Sequence, residues 1–310
     1  MHVFVAGGTG VIGRRLIPQL VARGHRVTAT TTNEAKLGLL GRLGATGVVM
    51  NGLDASSVRH AVASAGPDVI AHEMTAIATA HAGKPDIKHP GRWFAGTNRL
   101  RGEGTDNLLA AAEAAGVSRI VAQGYASWNG DPHGGWVKTE TDPLNLMEGT
   151  PSHAMLSTLR YAEDKVIAAG GAVMRYGALY GPGALDDQVT LLRKGQYPLV
   201  GAGQGHSSWI HLDDAACATV LAIEQSACGV FNIVDDDPAP ASQWLPYLAA
   251  CAGARTPMRV PVWLARMLAG EQAVVMMTQG RGFSNAKAKD RLGWALRYPS
   301  WRQGFRAELS

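Results

Sequence analysis

A tyrosine and a lysine four residues apart, in the run Tyr161-Ala162-Glu163-Asp164-Lys165, can move a proton together. On a helix, residues at i and i+4 share a face, so the ammonium would stand beside the phenol. A cation there favours tyrosinate and brings the phenol's pKa toward the range of an acid–base catalyst. Far upstream, just inside the N-terminus, stands Gly7-Gly8-Thr9-Gly10-Val11-Ile12-Gly13. Glycines at this spacing allow a tight turn and a close approach of backbone to phosphate. A helix that starts there offers unpaired N–H groups to a diphosphate. Either signal alone has a plain alternative, a surface helix pair or an ordinary Gly-rich turn. In this order they point to a redox enzyme in which the phenol moves a proton beside a nicotinamide.

Such groups need a scaffold that brings them to one edge. Val3 to Ala6 reads as a buried strand, Val11 to Arg23 as a helix ended by Gly24, and Arg26 to Thr31 as the next strand. Gly47 to Met50, Asp68 to Ala71, Arg119 to Ala122 and Ala172 to Arg175 are further short apolar runs, and Thr105 to Ala115 is helical. The alternation predicts an α/β fold of Rossmann type, a doubly wound parallel sheet covered on both faces. Residues 1–175 read as the dinucleotide-binding core. Residues 176–310, richer in glycine and proline turns, read mostly as a smaller C-terminal substrate-binding lobe. Strands such as Phe231 to Val234 are expected to return from it to the core sheet.

Of the 310 residues, 46% are hydrophobic and 17% charged, enough for a large core and against extended disorder. The net charge is +4, with Lys and Arg scattered and no basic run interleaved with aromatics, so no nucleic-acid partner is expected. No apolar stretch reaches the length of a membrane span, and the chain enters a strand without a leader pattern. Cys217, Cys228 and Cys251 are odd in number and lack metal-ligand spacing. They read as reduced, buried thiols of a cytoplasmic protein, and no metal site is expected. The expected partner is a small-molecule substrate, and a homodimer is left open.

The second strand ends Thr31-Thr32-Asn33, without the carboxylate that accepts from a ribose 2′-hydroxyl and without an arginine to attract a 2′-phosphate. Arg14, Arg15 or Lys36 could do the latter. This leans toward NADP and leaves NAD open.

Taken together, the segments resemble the extended short-chain dehydrogenase/reductase family, also called the NAD-dependent epimerase/dehydratase family. The resemblance runs nearly end to end, through Gly7 to Gly13, Gly52-Leu53-Asp54, Asp68 to His72, Gly104 to Leu109, Tyr161/Lys165, Arg175 to Gly183, Ile210 to Ala215 and Asn285 to Trp294. It implies hydride transfer between NAD(P) and a carbonyl or alcohol carbon of a small, partly apolar substrate. It implies Tyr161 as general acid–base, and Lys165 as the group that tunes it and holds the nicotinamide ribose. Asp54 would reach the adenine. Thr9, Val11, Ile12, Thr31, Leu53, Met74, Thr75 and Tyr176 would line the cofactor with Gly7, Gly10 and Gly13.

The family's Ser or Thr after the fifth strand is missing from its usual place. Tyr125 falls there and Ser127 two residues on. Ser127 is the expected substitute that polarises the carbonyl, with Tyr125 the second choice; a loop-capping serine is the plain alternative. Ala178 and Ser207 stand where nucleotide-sugar members carry Asn and Arg, which argues against such a substrate. Trp128, Trp136, Trp209 and Met155 could line a pocket for an uncharged, partly apolar substrate such as a ketone, enone or cyclic alcohol, or belong to the core. His206 and His211 read as loop histidines, and Asp235-Asp236-Asp237 as a solvated acidic turn. Two rival readings remain: an epimerase or dehydratase with transient internal redox, and a regulator that binds the dinucleotide without turnover.

Overall fold

The computed structural model describes residues 1–77, 90–126, 132–150 and 152–309. Seven strands form the central sheet: β1 (His2–Ala6), β2 (Arg26–Thr31), β3 (Thr46–Val49), β4 (Val69–His72), β5 (Ile120–Tyr125), β6 (Ala172–Tyr176) and β7 (Gly229–Ile233). All pair in parallel, in the order β7-β6-β5-β4-β1-β2-β3. The winding reverses between β1 and β4, and at such a switch point a crevice opens at the carboxyl edge of the sheet.

The helices that frame this edge are α1 (Gly13–Ala22), α2 (Ala55–Ala65), α3 (Ala95–Arg101), α4 (Glu103–Ala114), α5 (His153–Ala168) and α6 (Leu212–Glu224). Successive strand residues point to opposite faces, so two cores form. On one face Val3, Val5, Ala71 and Met174 meet Leu16, Ile17 and Leu20 of α1 and Ala215 and Val220 of α6. On the other, Phe4, Ile70, Ile120 and Val173 meet Val58 and Val62 of α2, Leu108 of α4 and Val166 of α5. Both faces are dry, which is why the strands read as unbroken apolar runs and not as alternating ones.

Beyond β6 the chain does two things. It returns α6 and β7 to the sheet, and it builds a further core of Trp209, Trp244, Leu248, Trp301 and Phe305, largely from α7 (Ala241–Cys251) and α8 (Trp301–Leu309). Carboxylates pin this part in place. Asp235 is buried and accepts from the backbone N–H groups of Asp237 and Trp301 at 3.2 and 2.7 Å. Asp236 takes Lys289 at 2.6 Å, and Asp237 takes Ser300 and Arg302 at 2.7 and 3.0 Å. The expectation of a solvated acidic turn is therefore corrected for Asp235, which is buried, whereas Asp236 is exposed and Asp237 half-buried. Asp214 does the same, accepting from the N–H groups of Arg297 and Tyr298, both at 2.9 Å. His211 is buried, not a loop residue, and its Nδ1 accepts from Asp213 N–H as the N-cap of α6. Cys228 is exposed and Cys217 and Cys251 are half-buried, so the reading of three buried thiols is also corrected; all three are free. No helix among the described residues is long and apolar enough to cross a membrane.

Candidate active site

The glycine loop joins β1 to α1. Gly7 has φ of +93°, and a Cβ there would lie 2.6 Å from the carbonyl oxygen of Glu73. A Cβ at Gly13 would lie 2.7 Å from Gly8 Cα, so α1 can start hard against the loop only with glycine. These glycines are demanded by the protein itself. Gly10 is not: it is exposed, and a Cβ would approach only the Gly7 carbonyl, at 3.2 Å. What its bare Cα leaves open is the space above the first turn of α1, which carries no acid to cancel the positive helix end. Loop and site therefore fit a diphosphate. Val11 is half-buried and Ile12 buried beneath this cradle.

Two threonines at the end of β2 hold the loop. Gly7 N–H donates to Thr30 Oγ1 and Gly8 N–H to the Thr30 carbonyl, each at 3.0 Å. Thr9 and Thr31 hydroxyls are 3.4 Å apart, and Asn33 N–H donates to Thr31 Oγ1 at 3.2 Å. No carboxylate stands at Thr31, Thr32 or Asn33. Arg14 and Lys36 are exposed, while Arg15 lies 3.6 Å from the Asp213 carboxylate. Asp54 caps α2: its Oδ1 accepts from Ser56 and Ser57 N–H at 2.9 and 3.2 Å and from the Ser56 hydroxyl at 2.7 Å. The Ser56 hydroxyl, followed by the two N–H groups, holds its carboxyl below the usual range. Leu53 is half-buried beside it.

At the centre of the edge β4 runs out through His72, Glu73, Met74 and Thr75. His72 Nδ1 accepts from Met74 N–H at 3.3 Å, which assigns the ring proton to Nε2, 3.1 Å from Thr105 Oγ1. Burial, and then the Arg101 charge, pull its pKa to about 4, so the ring is neutral. Met74 is buried over Gly52, and Thr75 is half-buried. Glu73 was not anticipated from the sequence. Its carboxyl is buried, and Oε1 accepts from Tyr176 OH at 2.9 Å. Tyr176 OH lies 2.6 Å from Thr219 Oγ1 as well, so it closes a buried chain. Oε2 has no partner among the described residues, and burial pushes the carboxyl's pKa up to about 8.

The phase of α5 decides which side chains reach this edge. Glu163 is buried and takes Arg175 Nε and Nη2 on β6 at 2.9 and 2.7 Å. A Cβ on Gly124 of β5 would lie 3.1 Å from Glu163 Oε1, so this side of α5 faces the sheet. Met155, Leu156, Leu159 and Val166 are buried on the same side. Tyr161 stands about 200° round the helix from Glu163. It is 40% exposed, and its phenol donates to the Asp106 carboxylate of α4 at 2.8 Å. Lys165 is exposed, 5.3 Å from the Tyr161 ring centre. The structure thus brings this pair together, but on the face of α5 turned away from the sheet. The positions four apart that face it are Met155 and Leu159, clustered with Phe94 and Met147 and, at the tip of β5, with Tyr125. Ser127 and Trp128 lie outside the described residues. Trp209 belongs to the C-terminal core, and Trp136 stacks on His206 with the Arg281 guanidinium 4.2 Å from its ring centre. Sequence reasoning missed Glu73 and Arg101. The orientation of α5 did leave a signal, an apolar stripe at positions 155, 159, 162 and 166.

A reversed parallel sheet with a glycine turn that fits a diphosphate at its switch point is the architecture of a Rossmann-type dinucleotide-binding protein. The chain belongs to the NAD dependent epimerase/dehydratase family, whose family model matches residues 3–233. It is 40% identical over 315 residues to the 3-diazoavenalumate denitrifying reductase of a Streptomyces species, with 99% of this chain and 100% of that one aligned. It is 30% identical over 276 residues to the 2-alkyl-3-oxoalkanoate reductase of Stenotrophomonas maltophilia, covering 82% and 76% of the two chains. Among solved structures, a human epimerase family protein with NADPH shares the fold at a TM-score of 0.74 and 20% identity, covering 100% of this chain and 99% of that one. The chain is an NAD(P)-dependent oxidoreductase, as the resemblance implied.

Proposed function

We propose that this chain reduces a small carboxylate-bearing substrate with NAD(P)H, the hydride replacing dinitrogen at a diazo-bearing carbon, without a tyrosine–lysine pair. The observation that carries this reading is the phase of α5: Met155 and Leu159 face the edge, while the Tyr161 phenol is tied to Asp106 outside. The reduced dinucleotide supplies the hydride. On a diazonium carbon that is sufficient. The hydride's electron pair makes the new C–H bond, the C–N pair leaves with N2, the charges cancel, and no proton changes hands. A ketone differs, because its oxygen gains charge and needs a proton from an acid within reach, a contribution of about 10²–10⁴-fold. The hydroxyl expected at Ser127 to polarise a carbonyl is likewise not required. The substrate class follows the relative aligned over its full length, whose name gives a diazo-substituted carboxylate and its denitrification.

The chain's own residues would bind and orient. Gly7, Gly10 and Gly13 with the N-terminus of α1 hold the diphosphate. Asp54, Leu53, Met74 and Thr75 line the crevice beside it. Thr31, with no acid next to it, admits a 2′-phosphate, and NADP(H) is the cofactor of this reading. Met155, Leu159 and Tyr125 form an apolar wall that excludes water from the reacting carbon.

One observation favours a second reading, ketone reduction. Tyr125 packs on the Met155–Leu159 cluster, where a phenol could supply the proton, and another relative is named for a 3-oxoalkanoate. NADPH oxidation with 3-diazoavenalumate and with a 2-alkyl-3-oxoalkanoate, by wild type and Tyr125→Phe, separates the two. The first reading expects turnover of the diazo acid, with Tyr125→Phe within about two-fold of wild type. Turnover confined to the oxo acid and lost in Tyr125→Phe would replace it.

A further inference from the structure

Arg101, the last residue of α3, carries a charge that the described residues leave without a counter-ion. Its Nε and Nη1 are buried and have no hydrogen-bond partner. The side chain lines a cavity with His72, Met74, Thr105, Gln123, Ala162 and Glu163. None of these neutralises it. The Glu163 carboxylate is already held by two Arg175 nitrogens. His72 is neutral, its ring spanning Met74 N–H and the Thr105 hydroxyl. Gln123 adds another donor, a buried Nε2 with no acceptor. Among the described residues these donors have no hydrogen-bond partner, and the one titratable group that offsets the burial of Arg101 is the Tyr125 phenol. Burial pulls the Arg101 pKa to about 10, which still leaves the guanidinium cationic at neutral pH.

A buried guanidinium without a partner is costly, and a planar fork of N–H groups suits a carboxylate bound through both oxygens. Next to the cavity, Ala162 belongs to the same stripe of α5 as Leu159 and Met155 one and two turns back. A charged anchor and an apolar wall thus adjoin along one helix.

We propose that Arg101, whose side chain lines this cavity of about one water's volume, anchors the substrate's carboxylate, which takes the place of that water as the lining side chains give way, with the Met155–Leu159 surface carrying the apolar body. Arg101 is then a positioning residue: it fixes where along the edge the reacting carbon lies. The proposal rests on the reading above only in taking the substrate to be a small carboxylate, and not on its diazo chemistry.

The test is a titration. NADPH complexes of wild type, Arg101→Gln and Arg101→Lys are titrated by calorimetry with 3-phenylpropanoate and with its uncharged amide. Wild type should prefer the acid by about ten-fold or more, as expected for a charge-assisted pair. Arg101→Gln should lose the preference, Arg101→Lys should keep part of it, and NADPH affinity should be the same in all three. Equal affinity of wild type for acid and amide, no binding of either, or a preference that survives in Arg101→Gln would overturn the proposal. So would weakened NADPH binding in Arg101→Gln, which would assign the guanidinium to the cofactor. Should Arg101→Gln not fold, the wild-type ratio and a reduced ratio in Arg101→Lys still decide. No turnover is measured, so failure of the diazo reading would leave these results unchanged.

Discussion

Replacing Glu73 by glutamine should stabilise the protein by an amount that grows with pH. The carboxyl is buried, with Oε1 taking Tyr176 OH and Oε2 taking nothing. In the folded chain it stays protonated up to about pH 8. In the unfolded chain it titrates near the ordinary glutamate value of about 4.3. The folded pKa is the raised one, so its stabilising effect is complete below the unfolded pKa and is lost as pH rises toward the folded pKa. Between the two, the folded state binds one proton more, and unfolding free energy falls by about 1.4 kcal/mol per pH unit. Over the whole window this amounts to about 5 kcal/mol. Glutamine keeps the acceptor for Tyr176 and does not titrate. Any fixed cost of its amide is independent of pH, so the change in the difference between variant and wild type isolates Glu73. Urea unfolding of both proteins from about pH 5 to about pH 9 measures it. The gap should widen with the stated slope and level off above the folded pKa. A gap that stays constant would refute a buried, neutral Glu73.

Tyr161→Phe should leave kcat and KM within about two-fold of wild type, because the phenol's partner is Asp106 on the outside of α5. A loss of about 100-fold or more would return Tyr161 to the chemistry. Gly10→Val should remove dinucleotide binding while the chain stays folded, since a Cβ there meets only the Gly7 carbonyl at 3.2 Å. NADPH fluorescence titration and circular dichroism report the two halves of that statement, and unchanged binding would make the loop only a turn. Thr31→Asp should shift preference toward NAD(H), because two unit charges about 4 Å apart interact by roughly 4 kcal/mol at an effective dielectric of 20. Parallel dissociation constants for NADP(H) and NAD(H) check it; a wild type that already prefers NAD(H) would mean that another residue reads the ribose.

The sheet was legible because its strands are short apolar runs, dry on both faces, separated by helices with clear glycine stops. Arg26 to Thr31 needed no long-range information to be placed. The glycine turn between β1 and α1 was legible because it stands between a strand and a helix; that a Cβ at Gly7 would meet the carbonyl of Glu73 was not. Tyr161 and Lys165 show where this stops. Their spacing puts them on one face of a helix, but which face meets the sheet is fixed by Glu163 reaching Arg175 on a later strand. Phase, not spacing, assigns the face, and the apolar stripe through Met155 and Leu159 carried that phase. Glu73 and Arg101 were invisible for another reason. A charged residue in sequence looks solvated until the packing around it is known, and the same blindness made Asp235 look like part of a wet turn when it anchors Trp301.

Isotopic labelling tests the hydride replacement most directly. The protein is incubated with 3-diazoavenalumate in ordinary water with NADPH deuterated at the transferred position, and any product is examined by mass spectrometry. One deuterium should appear per product molecule, on the carbon that carried nitrogen, with one N2 released for each NADPH oxidised. A product that has lost N2 but carries only solvent hydrogen there, or one that keeps both nitrogens, would contradict hydride replacement.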